Sequence, residues 1–258
     1  MKKTRLAIPG LLALLGLFLL VACSKKESSE SQPASAPAAS SAPAATPIDP
    51  ATVGSVSGSV KYDGTAPKRQ KIDMSQDPAC KGPNEAESIV ADKGGLANVF
   101  VYVKDGLGSR TFDVPKEPVV LDQTGCRYHP HVLGVLVGQQ LAIKNSDGIL
   151  HNIKAKGTKN RPFNISQPTV MTSERTFTAP EVMVPLECNV HGWMHAWLAV
   201  LPHPFFAVSG TDGTFSIKGL PPGTYTIEAW HEKYGTQTAT VTVAGSETKT
   251  ADFTFVAK

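Results

Sequence analysis

Helical periodicity is what this 258-residue chain most plainly lacks. No stretch keeps apolar residues at a 3.6-residue spacing for long, and Gly and Pro punctuate it throughout, which argues against a helical fold. An excess of one charge is missing too. Of 25 Lys and Arg, Lys2, Lys3 and Arg5 lie in the first few residues; setting residues 1–22 aside leaves 22 basic against 22 acidic side chains. That balance argues against a nucleic-acid partner, which would call for a basic surplus. Cysteine and histidine are scarce, at four and seven. Yet Cys188–His195, CNVHGWMH, holds a thiol, two imidazoles and a thioether in eight residues. Each type alone is ordinary core material. Together they are the soft and borderline donors a transition metal prefers.

The chain opens with a basic start and an apolar run from Leu6 to Ala22, the architecture of a secretory signal. The run is short for a spanning helix, which needs about 20 residues. It ends in LVAC, which resembles the bacterial lipoprotein processing box. The resemblance implies that residues 1–22 are removed and that Cys23 is lipidated, anchoring a periplasmic protein to a membrane. Ser24 in the next position points to the outer rather than the inner membrane. Residues 23–50, rich in Ala, Ser and Pro, read as a stiff disordered tether. Three cysteines then remain. In an oxidising compartment two should pair, and any two could. The metal-type company of Cys188 makes Cys80 and Cys126 the natural couple.

Period-2 alternation predicts an all-β fold. Val99, Val101 and Val103 alternate with Phe100 and Tyr102; Leu141 and Ile143 alternate with polar neighbours. Phe215 and Ile217, then Tyr225, Ile227 and Ala229, form two strands joined across KGLPPGT, with a turn at Asp212-Gly213 ahead of them. Val241, Val243, Phe253 and Phe255 follow.

Two resemblances divide this region. SGSVKYDG (57–64), NVFVYVK (98–104) and FFAVSGTDGTFSIKGLPPGTYTIEAWHEKYG (205–235) resemble strands of a carboxypeptidase regulatory-like domain, a small prealbumin-like β-sandwich. About 100 residues separate the second piece from the third. The expectation is therefore an inserted domain at 112–203, with the regulatory-like domain split into 51–111 and 204–258.

The insertion resembles a cupredoxin, a Greek-key β-sandwich. VLGVLVGQQLAIKNSDGILHNI (132–153) and ECNVHGWMHAW (187–197) carry the likeness, the Cys-x-x-His-x-x-Met spacing being the short-loop form of amicyanin. The resemblance implies one type 1 copper held by His151, Cys188, His191 and Met194. It also implies that Asn152 ties its strand to the cysteine loop, and that His191 lies near the surface in an apolar patch to which Trp193 contributes.

Strand parity agrees. Val182, Val184, Leu186 and Cys188 share one face, as do Ile149, His151 and Ile153, so thiol and imidazole can project into one end of a sandwich. Met194 shares its parity with Ala196, Leu198 and Val200, which places it inward; His195 goes with Trp197. His195 in place of Met194 would make a three-histidine, one-cysteine set suited to zinc. His131, with His129, is a further alternative ligand or part of a second site, against the plainer alternative of a strand entrance around Pro130. Lys154, Lys156, Lys159 and Arg161 form a basic stretch after His151, and His203 and His231 have no partner visible in sequence.

A type 1 site with every position filled leaves no room for substrate, so the expectation is an electron carrier and not an enzyme. Its partner would be a redox protein such as a c-type cytochrome. The alternatives are copper storage or delivery, or a carbohydrate- or protein-binding surface lipoprotein with a structural metal. In the last case Trp230, Phe205 and Phe206 would stack on sugar rings.

Overall fold

The computed structural model describes residues 44–257. The leader, Cys23 and the tether up to residue 43 lie outside the described residues. Four sheets arranged as two sandwiches account for the described elements, with three hydrophobic clusters among them.

In the first sandwich, Gly54–Asp63 runs through the middle of one sheet. It pairs antiparallel with Thr214–Leu220, and parallel with Thr248–Thr250 and Phe253–Val256. The facing sheet orders Phe206–Val208, Phe100–Asp105, Gly223–His231 and Gly235–Val243. Phe215, Ile217, Tyr225, Ile227, Val243, Phe253 and Phe255 fill the space between the two. The turn at Asp212-Gly213 forms, with Gly213 at φ 77°, and the flanking strands belong to opposite sheets. Residues 44–48 are not free tether. The Thr46 N–H donates to the Thr111 carbonyl at 2.9 Å, and Ile48 packs against the core.

The second sandwich orders Phe163–Gln167, His151–Ala155, Glu181–Glu187, His195–Leu201 and Val132–Leu136 in one sheet. The other sheet orders Met171–Thr176, Gln140–Asn145, Val119–Gln123 and Tyr128–His129. Leu121, Leu141, Ile143, Ile153, Leu186 and Leu198 are fully enclosed between them. The parity prediction for Glu181–Glu187 fails at one residue. A bulge with Met183 at φ 61° breaks the register, so Val182 is exposed while Met183, Val184, Leu186 and Cys188 are buried.

A third cluster joins the sandwiches: Phe100, Tyr102, Val132, Met183, Ala199 and Leu201. The strand Phe100–Asp105 thus buries both faces, Val101 and Val103 into the first core and Phe100 and Tyr102 into the junction. His195–Leu201 does the same from the other side, with Ala196, Leu198 and Val200 in the second core and Ala199 and Leu201 at the junction. Gly134 lets the two approach, because a Cβ there would lie 2.5 Å from the Phe206 ring. Phe206 and Phe100 stack with centroids 5.3 Å apart, and Trp230 meets Trp197 at 5.1 Å. Phe205 is in the first core. The three aromatics expected to greet sugar rings are therefore committed to packing.

Candidate metal centre

Cys188 follows the strand Glu181–Glu187, and His195 opens the next strand opposite Glu187. The residues between them close a loop on themselves. The Cys188 N–H donates to the Met194 carbonyl at 3.1 Å, and the Met194 N–H to the His191 carbonyl at 2.9 Å. The His191 N–H points at the Cys188 sulfur, 3.4 Å away. His151 enters from the neighbouring strand, whose approach is fixed by Asn145. That amide donates to the carbonyls of Ile149 and Gln167 and accepts from the Asp147 N–H.

His151, Cys188 and His191 converge, their donor atoms all within 4.8 Å of one another. The four residues singled out by sequence are deeply buried: His151 0%, Cys188 4%, His191 2% and Met194 2% exposed. Met194 lies in the second core, whereas His195 is on the opposite face of its strand and points to the junction.

The imidazoles are held in a telling way. His151 Nδ1 and His191 Nδ1 face each other at 2.9 Å. Their other nitrogens are taken by carboxylates, His151 Nε2 by Asp147 at 2.8 Å and His191 Nε2 by Asp77 at 2.9 Å. A carboxylate only accepts, so each Nε2 carries the proton and each Nδ1 presents a lone pair. Two lone pairs at that distance repel unless a proton or a metal cation lies between them. Carboxylates that fix the tautomer of metal-ligating histidines are the usual outer partners of such a site. The donor set therefore fits a thiophilic transition metal.

The electrostatics agree. Burial raises the Cys188 thiol, but contact with His151 and the N–H groups of Asn152, His191 and Val190 outweighs it and holds the thiol at about 7. Burial also pulls the His151 imidazolium down, and the neighbouring thiol and Asp147 more than restore it. Hydrogen bonding to His191 holds the Asp77 carboxyl below its ordinary value. A thiol near 7 surrenders its proton readily to a binding metal.

Asn152 ties its strand to the loop. Its Oδ1 accepts from the Asn189 N–H at 2.5 Å, its Nδ2 bonds Asn164, and its carbonyl accepts from Tyr128 Oη at 2.5 Å. Cys80 and Cys126 form a disulfide. It lies against the site, with Cys80 Sγ 3.7 Å from His191 Nε2. Together with Asp77 it holds the stretch containing Ile72 and Met74 against the second core, although sequence had put those residues with the first sandwich. This strap covers His191, so the histidine expected near the surface is enclosed. Trp193 is half-buried, its ring 5.1 Å from His191 and its N–H donating to the Cys126 carbonyl. Leu150 and Val190, each beside a donor histidine, are the exposed apolar residues here.

Sequence reasoning missed Asp77, Asp147 and Glu232. Asp147 had a signal, lying four residues before His151 on the same loop. Asp77 and Glu232 had none, being remote in sequence from the histidines they meet. Of the remaining candidates, His131 and His195 meet Glu232 away from Cys188. His203 packs against Phe112 and Phe205, and His231 stacks on Tyr234. Lys156 pairs with Glu187 on the surface.

Residues 202–256 match the family model of the carboxypeptidase regulatory-like domain. No curated protein matches the chain. Among solved structures it is similar to a Cu-containing nitrite reductase from Thermus scotoductus SA-01, with 22% identity and a TM-score of 0.31. That match covers 38% of this chain and 25% of the reductase, so the chain spans a quarter of its length. It is also similar to amicyanin from Paracoccus versutus, with 18% identity, a TM-score of 0.30, and 39% and 96% of the two chains covered. A purple cupredoxin from Nitrosopumilus maritimus gives 20% identity, a TM-score of 0.28, and coverage of 32% and 98%. Every regular element among the described residues is a strand, and residues 202–256 form a carboxypeptidase regulatory-like segment. The strands Gly54–Asp63 and Phe100–Asp105, which complete the sheets around the matched segment, come from before it in the chain.

Proposed function

We propose that His151, Cys188 and His191 hold a single type 1 copper ion, with Met194 as the axial donor, and that the protein carries single electrons between redox partners. The observation that carries this is the facing pair of Nδ1 atoms beside a thiol, with both Nε2 atoms already committed to carboxylates. Bound in such a set, copper exchanges one electron between Cu(I) and Cu(II).

The chain's part is to hold the donors still and dry. Asp147 and Asp77 orient the imidazoles, Asn152 holds the loop, and the strap with its disulfide covers His191. A buried, multiply anchored set suits electron transfer better than copper delivery, which wants an exposed and labile site. The binding-module alternative loses its support with the burial of Phe205 and the packing of Phe206 and Trp230.

In this reading the protein is anchored through lipid on Cys23 in the periplasm, at the outer membrane, and its partner is a redox protein such as a c-type cytochrome. Leu150 at 45% and Val190 at 44% exposure supply the apolar contact beside the two donor histidines, in place of Trp193. The test is to express residues 24–258, add Cu(II), and record visible and EPR spectra of the wild type and Cys188→Ser. A blue thiolate charge-transfer band, lost in the variant, is the expected result. A colourless protein that takes zinc alone, or no metal, would overturn the assignment.

A further inference from the structure

A second group of donors lies where the sandwiches meet. His131 precedes the strand Val132–Leu136, and His195 opens the adjacent parallel strand. Glu232 follows the strand Gly223–His231 of the first sandwich. Their donor atoms lie within 4.8 Å of one another, and the two imidazoles meet edge to face with centroids 5.0 Å apart.

Each contact has a defined polarity. His195 Nδ1 lies 3.1 Å from the Trp193 carbonyl oxygen, which can only accept. Nδ1 therefore carries the proton, and a neutral His195 aims the lone pair of Nε2 toward Glu232 Oε2, 3.9 Å away. That distance is too long for a hydrogen bond, and two acceptors facing each other gain nothing from it. Tetrahedral ligands with bonds of about 2.0–2.2 Å stand about 3.4 Å apart, so an approach of about half an ångström by the part-exposed His195 would let one ion take both. The other oxygen, Oε1, meets His131 Nε2 at 2.6 Å. The proton shared there is the one a metal would displace. The Glu232 carboxylate has little water to solvate it, at 6% side-chain exposure, and Lys233 Nζ stays 4.0 Å off with its side chain half-exposed. His195 is more than one-third exposed and leaves a path for an ion and for a water ligand.

We propose that His131, His195 and Glu232 form a second metal site, taking a borderline divalent ion such as Zn(II) with one position open to water. Two imidazoles and a carboxylate are an established donor set for that ion. Two ligands come from one sandwich and the third from the other, so the ion fixes their mutual orientation. Met194 and His195 are consecutive, so the same peptide would connect this site to the one around Cys188. His131 and His195 therefore serve this site and are not alternative ligands to the first.

The site is tested independently of copper. In residues 24–258 carrying Cys188→Ser and His191→Ala, which dismantle the first donor set, Zn(II) is titrated calorimetrically and bound metal is counted after desalting. One equivalent is expected. Glu232→Gln on that background keeps the shape of the side chain and a hydrogen bond to His131, and should fold. It is expected to weaken zinc by more than the 10–100-fold that loss of an outer partner costs. His195→Ala, at a half-exposed position, should do the same. A background protein that binds no zinc, or a Glu232→Gln form that binds it equally well, would overturn the site and leave a buried ion pair.

Discussion

The two sandwiches bury polar groups to different ends. Within the first, the Glu228 carboxylate is tied to Tyr102 at 2.6 Å and to Lys104 at 2.6 Å across neighbouring strands. The arrangement fastens a sheet and reaches no loop. In the second, Gln123, Asn145, His151, Asn152, Gln167 and His191 are all buried. Their hydrogen bonds run between strands and the loops that carry the donors. Buried amides are costly unless bonded, and here their bonds hold donor loops against one another. Apart from Glu232, which reaches across to His131, the first sandwich uses polarity to secure its own strands, and the second uses it to hold the loops that carry His151, Cys188 and His191.

The comparison can be broken most forcefully at the disulfide. Cys80→Ser with Cys126→Ser opens a link spanning 46 residues, and the unfolding free energy should drop by about 4 kcal/mol. The loss should concentrate in the second sandwich, as urea unfolding followed by hydrogen exchange would show. Gly134→Ala is next. It drives a Cβ into the Phe206 and Phe100 rings and should cost about 2 kcal/mol while leaving the donor set intact. If it altered metal binding as much as stability, the sandwiches would not be separable in this way.

Asn152→Ala strands the Asn189 N–H and should cost about 1.5 kcal/mol by chemical unfolding. Unlike the glycine variant, it should also loosen the cysteine loop and shift the metal spectrum. Glu181 gives a pH test within the second sandwich. Burial raises its carboxyl, but the N–H and side-chain groups of Thr158 and Asn160 outweigh that and bring it from 4.5 to about 2. A depressed carboxylate stabilises fully above about 4.5, and the contribution is lost as pH falls through about 2. Thermal unfolding of the wild type should follow that slope, and Glu181→Gln should flatten it. Lys156→Ala breaks only a solvent-exposed pair with Glu187 and should change stability by less than about 0.5 kcal/mol.

Much of this was legible where neighbours in sequence decide the outcome. The alternation of Val99, Val101 and Val103 with Phe100 and Tyr102 announced a strand, and its apolar residues on both faces fit a strand buried on both sides. Parity sent Met194, Ala196, Leu198 and Val200 inward and His195 to the other face. The same reasoning failed at Val182, because a bulge at Met183 shifts the register and alternation says nothing about where a bulge falls. It also left residues 44–48 in the tether, although Thr46 and Ile48 are docked on the first sandwich by groups distant in sequence.

By itself the sequence determined the strands, the compact Cys-x-x-His-x-x-Met loop and the donor types within it, since these follow from side-chain alternation and spacing along a few residues. Tertiary structure alone decided that a disulfide-anchored strap brings Asp77 over His191, and that Glu232 from one sandwich meets His131 and His195 of the other. Those pairings join residues about 100 or more positions apart in the case of Asp77, His131 and their partners. Which remote carboxylate meets which histidine depends on how the sheets close and stack, and local periodicity carries no information about that.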